Sequence, residues 1–375
     1  MLFNVCALYI KIMNNENQTI HKSDDNLTIY GWNEKLNQLK QESIYSTLAH
    51  GRVSIVHRTC YEVISGNGLF QCELTGNMMY GKSDDELPCT GDWVIFQPFD
   101  EHKGIIVDSL PRERTLYRKK SGTVADKQVI ASYVDKAFIV QSLDDNFNVR
   151  RVERFMVQIM EENISSVLVL NKADLDFDRQ SVEEQIKHIS SQIPVFFTSI
   201  HQLETIVRLR KSISEGETVV FVGSSGVGKS SLVNALCEKP VLLTSDISLS
   251  TGKGRHTSTR REMVLMDSSG VLIDTPGVRE FGLAIDNPDS LAEVLEISDY
   301  AELCRFKDCK HINEPGCAVI EAVNSGALDS KVYESYLKLR REAWHFSASE
   351  HEKRKKEKSF TKFVEEVKNR KDANR

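Results

Sequence analysis

The sequence predicts a multidomain chain: a small β-barrel, then an α/β domain with a mostly parallel sheet, then a mainly helical part. Three observations support this order. Between residues 51 and 110, short runs alternate apolar and polar residues, which is the pattern of half-buried strands. From residue 137, longer apolar runs alternate with helical stretches, as in βα units. After residue 290 the pattern is helical, except around a cluster of cysteines.

Length and composition are those of a soluble globular protein. The chain has 375 residues, 40% of them hydrophobic and 27% charged, which is enough for two or three separate cores. No run approaches the roughly 20 apolar residues that span a bilayer. The apolar start, residues 1–10, has neither a basic flank nor a cleavage site, so we expect no signal peptide. Most of the eight cysteines are scattered, which favours a reducing cytoplasm.

Charge is distributed unevenly. The net charge is −6, but residues 338–375 carry 13 Lys or Arg against 7 Asp or Glu. A second basic cluster lies where the barrel meets the α/β region and consists of Arg112, Arg114, Arg118, Lys119 and Lys120. Local basic clusters on an acidic chain indicate contacts with polyanions. For the tail, a solvated lysine-rich helix explains the composition equally well.

Five runs predict the strands of the barrel: GRVSIVHR, YEVI, LFQCEL, DWVIFQ and GIIVDSL. Turn signals such as Ser65-Gly66-Asn67-Gly68 separate them. Five short strands in sequence are typical of an OB-type barrel. An SH3-like barrel would give a similar pattern.

Residues 223–230 read GSSGVGKS, between an apolar run, TVVFV, and a helical stretch, SLVNALC. Glycines allow backbone N–H groups to converge on phosphates. In such a loop Lys229 reaches the β- and γ-phosphates, and the Ser230 hydroxyl binds Mg²⁺. A chance Gly-Ser-rich turn is the alternative, which the flanking strand and helix disfavour. The predicted phosphate-binding residues are Gly223, Ser224, Ser225, Gly226, Val227, Gly228, Lys229, Ser230 and Ser231.

A second phosphate element is VLIDTPG. Asp274 ends an apolar run, where it can hold Mg²⁺ through water, and the Gly277 N–H can meet the γ-phosphate. The four-residue DxxG pattern is weak alone. Its place after a strand, downstream of the phosphate loop, makes it specific.

Residues 171–174, Asn-Lys-Ala-Asp, predict a guanine-binding motif. Asp174 can accept hydrogen bonds from the ring N–H and the amine of guanine, a donor pair that adenine lacks. Asn171 would bridge the base to the phosphate loop, and the Lys172 stem would cover the ring. The turn at Ser199 would offer a backbone N–H to the guanine carbonyl. A polar turn after a strand is the alternative for NKAD alone.

The polar loop TGKGRHTSTR, residues 251–260, predicts a mobile segment that closes over Mg²⁺ and the γ-phosphate. We assign the Mg²⁺-binding threonine to Thr257, with Thr259 as the second choice. After DxxG, where many GTPases have a water-orienting glutamine, this chain has Val278. His256 is the nearest candidate to replace it.

The cysteine cluster has the spacing C-x4-C-x-H-x5-C, from Cys304, Cys309, His311 and Cys317. Three thiolates and one imidazole complete a tetrahedral zinc shell without an open position, so we predict a structural zinc ion. Redox-active cysteines or a disulfide are the alternative, which a cytoplasmic setting disfavours.

These motifs occur in an unusual order, with NKAD before GSSGVGKS, GRHT and DTPG, and the cysteine cluster last. In this order the chain resembles the ribosome small-subunit-dependent GTPase A family, RsgA or YjeQ, whose GTPase domain is circularly permuted. The resemblance runs from about Gly51 to the C-terminus and leaves residues 1–42 outside. It implies an OB domain, a permuted GTPase domain and a zinc domain, GTP hydrolysis stimulated by the small ribosomal subunit, and a water-positioning role for His256.

We therefore predict a cytoplasmic, monomeric GTPase that uses GTP and Mg²⁺, carries one structural Zn²⁺, and binds the small ribosomal subunit and its rRNA during late maturation. The expected parts are an extension at 1–42, an OB domain at 43–113, the GTPase domain at 114–285, and a zinc-binding helical domain with a basic tail at 286–375. One alternative is a nucleotide-gated RNA-binding scaffold with incidental hydrolysis. Another is an ATP-using kinase, which conflicts with Asp174. The permuted order also predicts that DTPG transmits nucleotide state to the zinc-bearing helices.

Overall fold

The computed structural model describes residues 25–119, 127–238, 261–266, 269–274, 289–295 and 297–347. Its strands are β1 Ala49–Val56, β2 Tyr61–Ser65, β3 Gly68–Leu74, β4 Trp93–Asp100, β5 Lys103–Ser109, β6 Leu116–Lys119, β7 Lys127–Ala131, β8 Lys136–Ser142, β9 Ser165–Asn171, β10 Val195–Thr198, β11 Thr218–Val222, β12 Glu262–Met266 and β13 Ser269–Asp274. Its helices are α1 Asp25–Thr28, α2 Glu34–Glu42, α3 Gly76–Gly81, α4 Val149–Glu161, α5 Arg179–Gln185, α6 Lys187–Ser190, α7 Leu203–Arg210, α8 Lys229–Cys237, α9 Asp289–Val294, α10 Ser298–Ala301, α11 Ala318–Ser325 and α12 Ser330–Ser347.

Strands β1 to β5 form a closed barrel, and each of them coincides with one of the five predicted runs. The order is β1-β2-β3-β5-β4, and β4 pairs back to β1. The β3–β5 pairing is parallel, and α3 lies in the chain between β3 and β4. Alternate residues such as Val53, Val63 and Phe96 fill the interior. The OB-type barrel is therefore confirmed.

Helices α1 and α2 pack on the outside of this barrel. Asn33 caps α2 by accepting a hydrogen bond from the Leu36 N–H at 3.1 Å. Trp32 and Leu36 are buried in one apolar cluster with Trp93 of β4, and the two indole rings lie 4.9 Å apart. Only a few large side chains anchor this segment to the barrel. Its sequence therefore shows no regular alternation of apolar and polar residues.

The α/β region is built on strands β10-β9-β8-β11-β13-β12. The first five are parallel, and β12 runs antiparallel to β13. Their apolar side chains face helices on both sides, in two separate core clusters, which explains why these strands read as continuous apolar runs. The predicted α/β domain is confirmed. Strands β6, β7 and β12 had no distinct signal in the sequence.

The C-terminal helices continue the core of the α/β region. Val319 of α11 and Leu339 of α12 lie in the same buried cluster as Phe155 of α4. Among the described residues, no helix has the length and apolar character that crossing a membrane requires.

The buried side chain of Arg52 joins three parts of the molecule. From β1, its Nε donates to the Gly91 carbonyl at 2.9 Å and its Nη1 donates to Thr218 Oγ1 at 2.8 Å. The same nitrogen donates to the Tyr30 carbonyl, and Arg52 is only 1% exposed. Burial lowers the pKa of Arg52 to about 10, so the guanidinium remains charged at neutral pH. Barrel, N-terminal segment and α/β sheet thus share one charged donor.

We predict that Arg52→Met lowers the free energy of unfolding by about 3 kcal/mol, because it leaves several buried oxygens without a donor. Urea-induced unfolding followed by tryptophan fluorescence would measure this, since Trp93 lies against Arg52. The control is Arg58→Met, at an exposed position of the same barrel. Equal stability of the two variants would contradict the assigned role.

Candidate functional site

The predicted motifs meet at one edge of the α/β sheet. Asn171 is the last residue of β9, Gly223 follows β11, and Asp274 is the last residue of β13. Ser199 follows β10. Since these strands are parallel, their carboxyl ends lie side by side, where α/β sheets bind ligands.

A direct hydrogen bond joins the NKAD motif to the phosphate loop. The buried Asn171 side chain donates from Nδ2 to the Val227 carbonyl at 2.9 Å. Thr198 Oγ1 donates to Asn171 Oδ1 at 3.2 Å and fixes the orientation of the amide. Gly228 has a φ of +89°, and a Cβ there would lie 2.4 Å from Asn171 Nδ2. Only glycine fits this contact, as the sequence predicted for the loop.

The phosphate loop ends in a helix N-terminus. Helix α8 begins at Lys229, followed by Ser230 and Ser231, so its first N–H groups face the loop. Lys229 Nζ donates to the carbonyls of Gly223 and Ser224 at 2.7 and 2.6 Å. Ser225 and Gly226 are exposed at the tip. Backbone donors, a helix N-terminus and a lysine together form a site for a polyphosphate.

The carboxylate of Asp174, the predicted guanine-binding group, is exposed and held in one orientation. Ser199 Oγ donates to Asp174 Oδ1 at 2.5 Å, and this bond is the largest cause of the lowered pKa of Asp174. An ionised, fixed carboxylate suits the two guanine donors. The Ser199 N–H donates to Thr205 Oγ1 at 3.0 Å, so this N–H, which we expected at the guanine carbonyl, already has a partner within the protein.

Lys172 has a partner that sequence reasoning missed. Its Nζ donates to Asp144 Oδ2 at 2.7 Å, just beyond the end of β8. Burial opposes the charged form of Asp144, but the bonds from Lys172 and Ser142 outweigh it, and the pKa falls to about 2. This contact holds the side chain of Lys172 in place within the NKAD motif. An aspartate directly after an apolar run was the available signal.

The predicted catalytic loop lies outside the described residues. This applies to His256, Thr257 and Thr259, and equally to Gly277 and Val278. Their assignments remain predictions.

The cysteine cluster comes together as the spacing predicts. The ligand atoms of Cys304, Cys309, His311 and Cys317 all lie within 4.8 Å of one another. Cys304 Sγ is 3.9 Å from Cys317 Sγ and 3.5 Å from His311 Nδ1. A tetrahedral zinc ion with bonds of about 2.3 Å requires sulfur atoms about 3.8 Å apart. The cluster therefore fits zinc, and its three cysteines are free thiols.

Local electrostatics also suit a cation. Burial lowers the pKa of His311, with Arg340 adding to the effect, so the imidazole is neutral as a metal ligand must be. Burial, together with the neighbouring thiols, raises the pKa of Cys317 to about 12. A divalent cation would reverse this last effect.

Glu314, which the sequence reading did not single out, organises the ligand loop. Its carboxylate accepts hydrogen bonds from the N–H groups of Lys310, Ile312 and Asn313 at 2.9 to 3.1 Å. These bonds lower the pKa of Glu314 to about 2. They hold the turn that carries His311.

The basic cluster between barrel and sheet is largely used inside the protein. Arg112 binds both carboxylate oxygens of the buried Asp92 at 2.8 to 3.0 Å. Arg114 pairs with Asp135 at 3.0 Å. These two arginines stabilise the fold, which weakens the prediction that they contact polyanions.

Comparison with known proteins agrees with this geometry. The chain is 75% identical to "Small ribosomal subunit biogenesis GTPase RsgA 1" of Bacteroides thetaiotaomicron, over 96% of this chain and 99% of that protein. The chain belongs to the RsgA GTPase family. The family described as RsgA GTPase matches residues 109–284. An RsgA protein of Methanosarcina acetivorans is 38% identical over 87% of this chain and 89% of its own length.

The Bacteroides match covers so much of the chain that it reaches into residues 1–42. This relative therefore shares part of the segment that we placed outside the family resemblance. The ABC transporter family matches residues 206–371, a range that includes the phosphate loop common to P-loop proteins.

Solved structures have the same fold. The crystal structure of YjeQ from Thermotoga maritima matches with a TM-score of 0.60 and 26% identity, over 79% of this chain and 98% of that one. YloQ, described as a circularly permuted GTPase, matches with the same score and 22% identity, over 80% and 97%. The predicted permutation is confirmed.

We predict that Asp144→Asn weakens GDP binding about fivefold, because it removes the charged acceptor that holds Lys172. The folded-state pKa of Asp144 is depressed, so this contact is complete above the ordinary pKa of 3.8 and is lost as the pH falls towards about 2. The defect should therefore be constant between pH 6 and pH 8. Fluorescent GDP titration measures it, with the exposed neighbour Asp145→Asn as the control. Equal affinities in both variants would exclude the role.

We predict one zinc ion per chain, lost in Cys309→Ser, because three ligands hold zinc less tightly than four. Metal release measured with a chromogenic chelator gives the stoichiometry. Cys60→Ser, at a half-buried thiol of the barrel, should retain the ion. Full zinc content in Cys309→Ser would show that the cluster is not the site.

Proposed function

We propose that the protein is a GTP hydrolase that acts in biogenesis of the small ribosomal subunit. The observation that supports it best is the 75% identity to a protein named for that role. The geometry agrees, since the oriented Asp174 and the phosphate loop lie at one sheet edge, joined through Asn171. Asp174 favours guanine over adenine.

In this proposal GTP and GDP bind with the base at NKAD and the phosphates along the loop. Lys229, Asp274 and the Gly277 N–H would contact the phosphates. Ser230 and Thr257 would hold Mg²⁺, which would neutralise phosphate charge. His256 orients the water that adds to the γ-phosphorus, while the bond to the β–γ bridging oxygen breaks and GDP and phosphate leave. Because Val278 cannot orient water, turnover is slow until the partner acts.

The zinc centre has a structural role in this proposal. Cys304, Cys309, His311 and Cys317 hold the ion in a closed shell, and the loop they form leads into α11. Zinc then stabilises a segment that has few buried apolar side chains of its own.

We also propose that the partner is the immature small subunit, bound through its rRNA by a monomer in the cytoplasm. The barrel domain at 43–113 and the zinc domain with its basic tail at 286–375 flank the GTPase domain at 114–285. Tyr80 is 87% and Phe99 61% exposed on the barrel, and exposed aromatic rings on OB folds stack against bases. Contacts to phosphates would come from the basic tail.

The proposal predicts that saturating small subunits raise the GTP turnover rate at least tenfold, and that raising the salt concentration from 50 to 200 mM reduces the stimulation, because phosphate contacts release counterions. Phosphate release assays with and without subunits at both salt concentrations test this. His256→Ala should bind GTP normally but lose the stimulation.

Two results would argue against the proposal. Turnover that does not respond to subunits, with subunit binding intact, would favour a nucleotide-gated RNA-binding scaffold, the reading that Val278 supports. Tighter binding of ATP than of GTP would favour a P-loop kinase.

A further inference from the structure

Arg151 of α4 contacts the phosphate loop, although it belongs to none of the sequence motifs. Its Nη1 donates to Ser224 Oγ at 2.8 Å. The same nitrogen lies 3.1 Å from Asn146 Oδ1 and 3.3 Å from the Asn146 carbonyl. Asn146 Nδ2 lies 3.5 Å from Ser224 Oγ and from the Ser225 carbonyl. Two side chains from the segment after β8 thus converge on the second and third residues of the loop.

Local structure fixes both side chains. Asn148 caps α4 by accepting from the Arg151 N–H at 3.2 Å, which places Arg151 in the first helical turn. Asp144 Oδ1 accepts from the Asn146 N–H at 3.0 Å. Arg151 is half-buried, so its charge-assisted bond to Ser224 is partly shielded from water.

These contacts form a continuous chain of polar groups. It runs from Lys172 to Asp144, from Asp144 to Asn146, from Asn146 to Arg151 and from Arg151 to Ser224. It therefore links the base motif to the phosphate loop by a second route, in addition to the Asn171 bond; this route passes through the backbone N–H of Asn146 and otherwise through side chains. Hydrogen-bonded chains of this kind hold their members more firmly than separate bonds do.

The other arginines of α4 have a different use. Arg150 pairs with Glu334 of α12 at 3.5 Å, and Arg154 pairs with Glu342 of the same helix at 3.0 Å. Both face the zinc-bearing part. Arg151 is the arginine of this helix that contacts the nucleotide loop.

We propose that Arg151 is a positioning residue for nucleotide binding: through Ser224 and Asn146 it holds the phosphate loop in its binding conformation. This inference rests on the proposed function, since it assigns a role in the same nucleotide site. Ser224 also supplies one of the carbonyls that bind Lys229, so the brace and the loop lysine meet at one residue. A preorganised loop binds both GDP and GTP more tightly, because its N–H groups face the phosphates that the two nucleotides share.

The test is fluorescent GDP and GTP titration, with steady-state turnover, on the full chain. Arg151→Ala should weaken GDP and GTP alike, by about tenfold, and leave kcat within about twofold. Arg151→Lys, which keeps the charge and one donor, should recover part of the loss. Ser224→Ala should also weaken both nucleotides, and the losses should be less than additive in the double variant, because both substitutions remove the contact between Arg151 and Ser224.

The matched control is Arg150→Ala, the neighbouring arginine on the same helix, which should bind both nucleotides as the wild type does. Thermal unfolding of all variants separates loss of fold from loss of binding. Wild-type affinities in Arg151→Ala, or additive losses in the double variant, would overturn the proposal. Loss of GTP binding alone, with a lower kcat, would overturn it too and make Arg151 a catalytic residue that touches the γ-phosphate. Failure of the wild type to bind guanine nucleotides would instead contradict the proposed function.

Discussion

The hydrogen bond from Asn171 to the Val227 carbonyl is the contact on which the candidate site depends. It joins the NKAD motif, which we predict to bind the base, to the loop that we predict to bind the phosphates. Such a bond is possible in either chain order, because the strand order of the sheet and the alignment of its carboxyl ends set the distance. Circular permutation changes which strand ends are connected by loops. The sheet still determines the relative positions of Asn171, Gly228 and Asp174. A permuted chain can therefore keep one nucleotide site.

Arg52 extends this constraint to the barrel. Its partner Thr218 is the first residue of β11, and the phosphate loop begins directly after the last residue of the same strand. A buried cation that satisfies the Gly91 carbonyl and Thr218 fixes the barrel against the base of β11. Such a contact contributes orientation at least as much as stability, because desolvation of the charge offsets part of the gain. The barrel is therefore held against the strand that carries the phosphate loop.

Periodicity and motif spacing predicted the barrel strands, the parallel strands, the phosphate loop, the base motif and the cysteine cluster. Each of these depends on residues close together in sequence or on the general rule that strand ends align. Contacts such as Arg52 to Thr218, Lys172 to Asp144 and Arg151 to Ser224 were missed. Each of these contacts joins residues far apart in the chain. The sequence around an Arg or Asp does not indicate which distant residue will be its partner. Arg112 shows the reverse case, because a residue of a basic cluster that suggested contacts with polyanions binds a buried aspartate inside the fold.

The pairing of β12 with the barrel adds a route that motif order did not suggest. β12 follows the predicted closing loop at 251–260 and pairs with β13, the strand that ends at Asp274. On its other side β12 meets β1 at a single register pair, Ile55 with Glu262. Burial and the nearby Glu62 raise the pKa of Glu262, so like charges oppose each other at this seam. With one register pair, this is the shortest strand pairing in the described part of the sheet, and it brings two carboxylates near each other. The pair of Ile55 and Glu262 therefore joins the barrel directly to the strands β12 and β13, the second of which ends at Asp274.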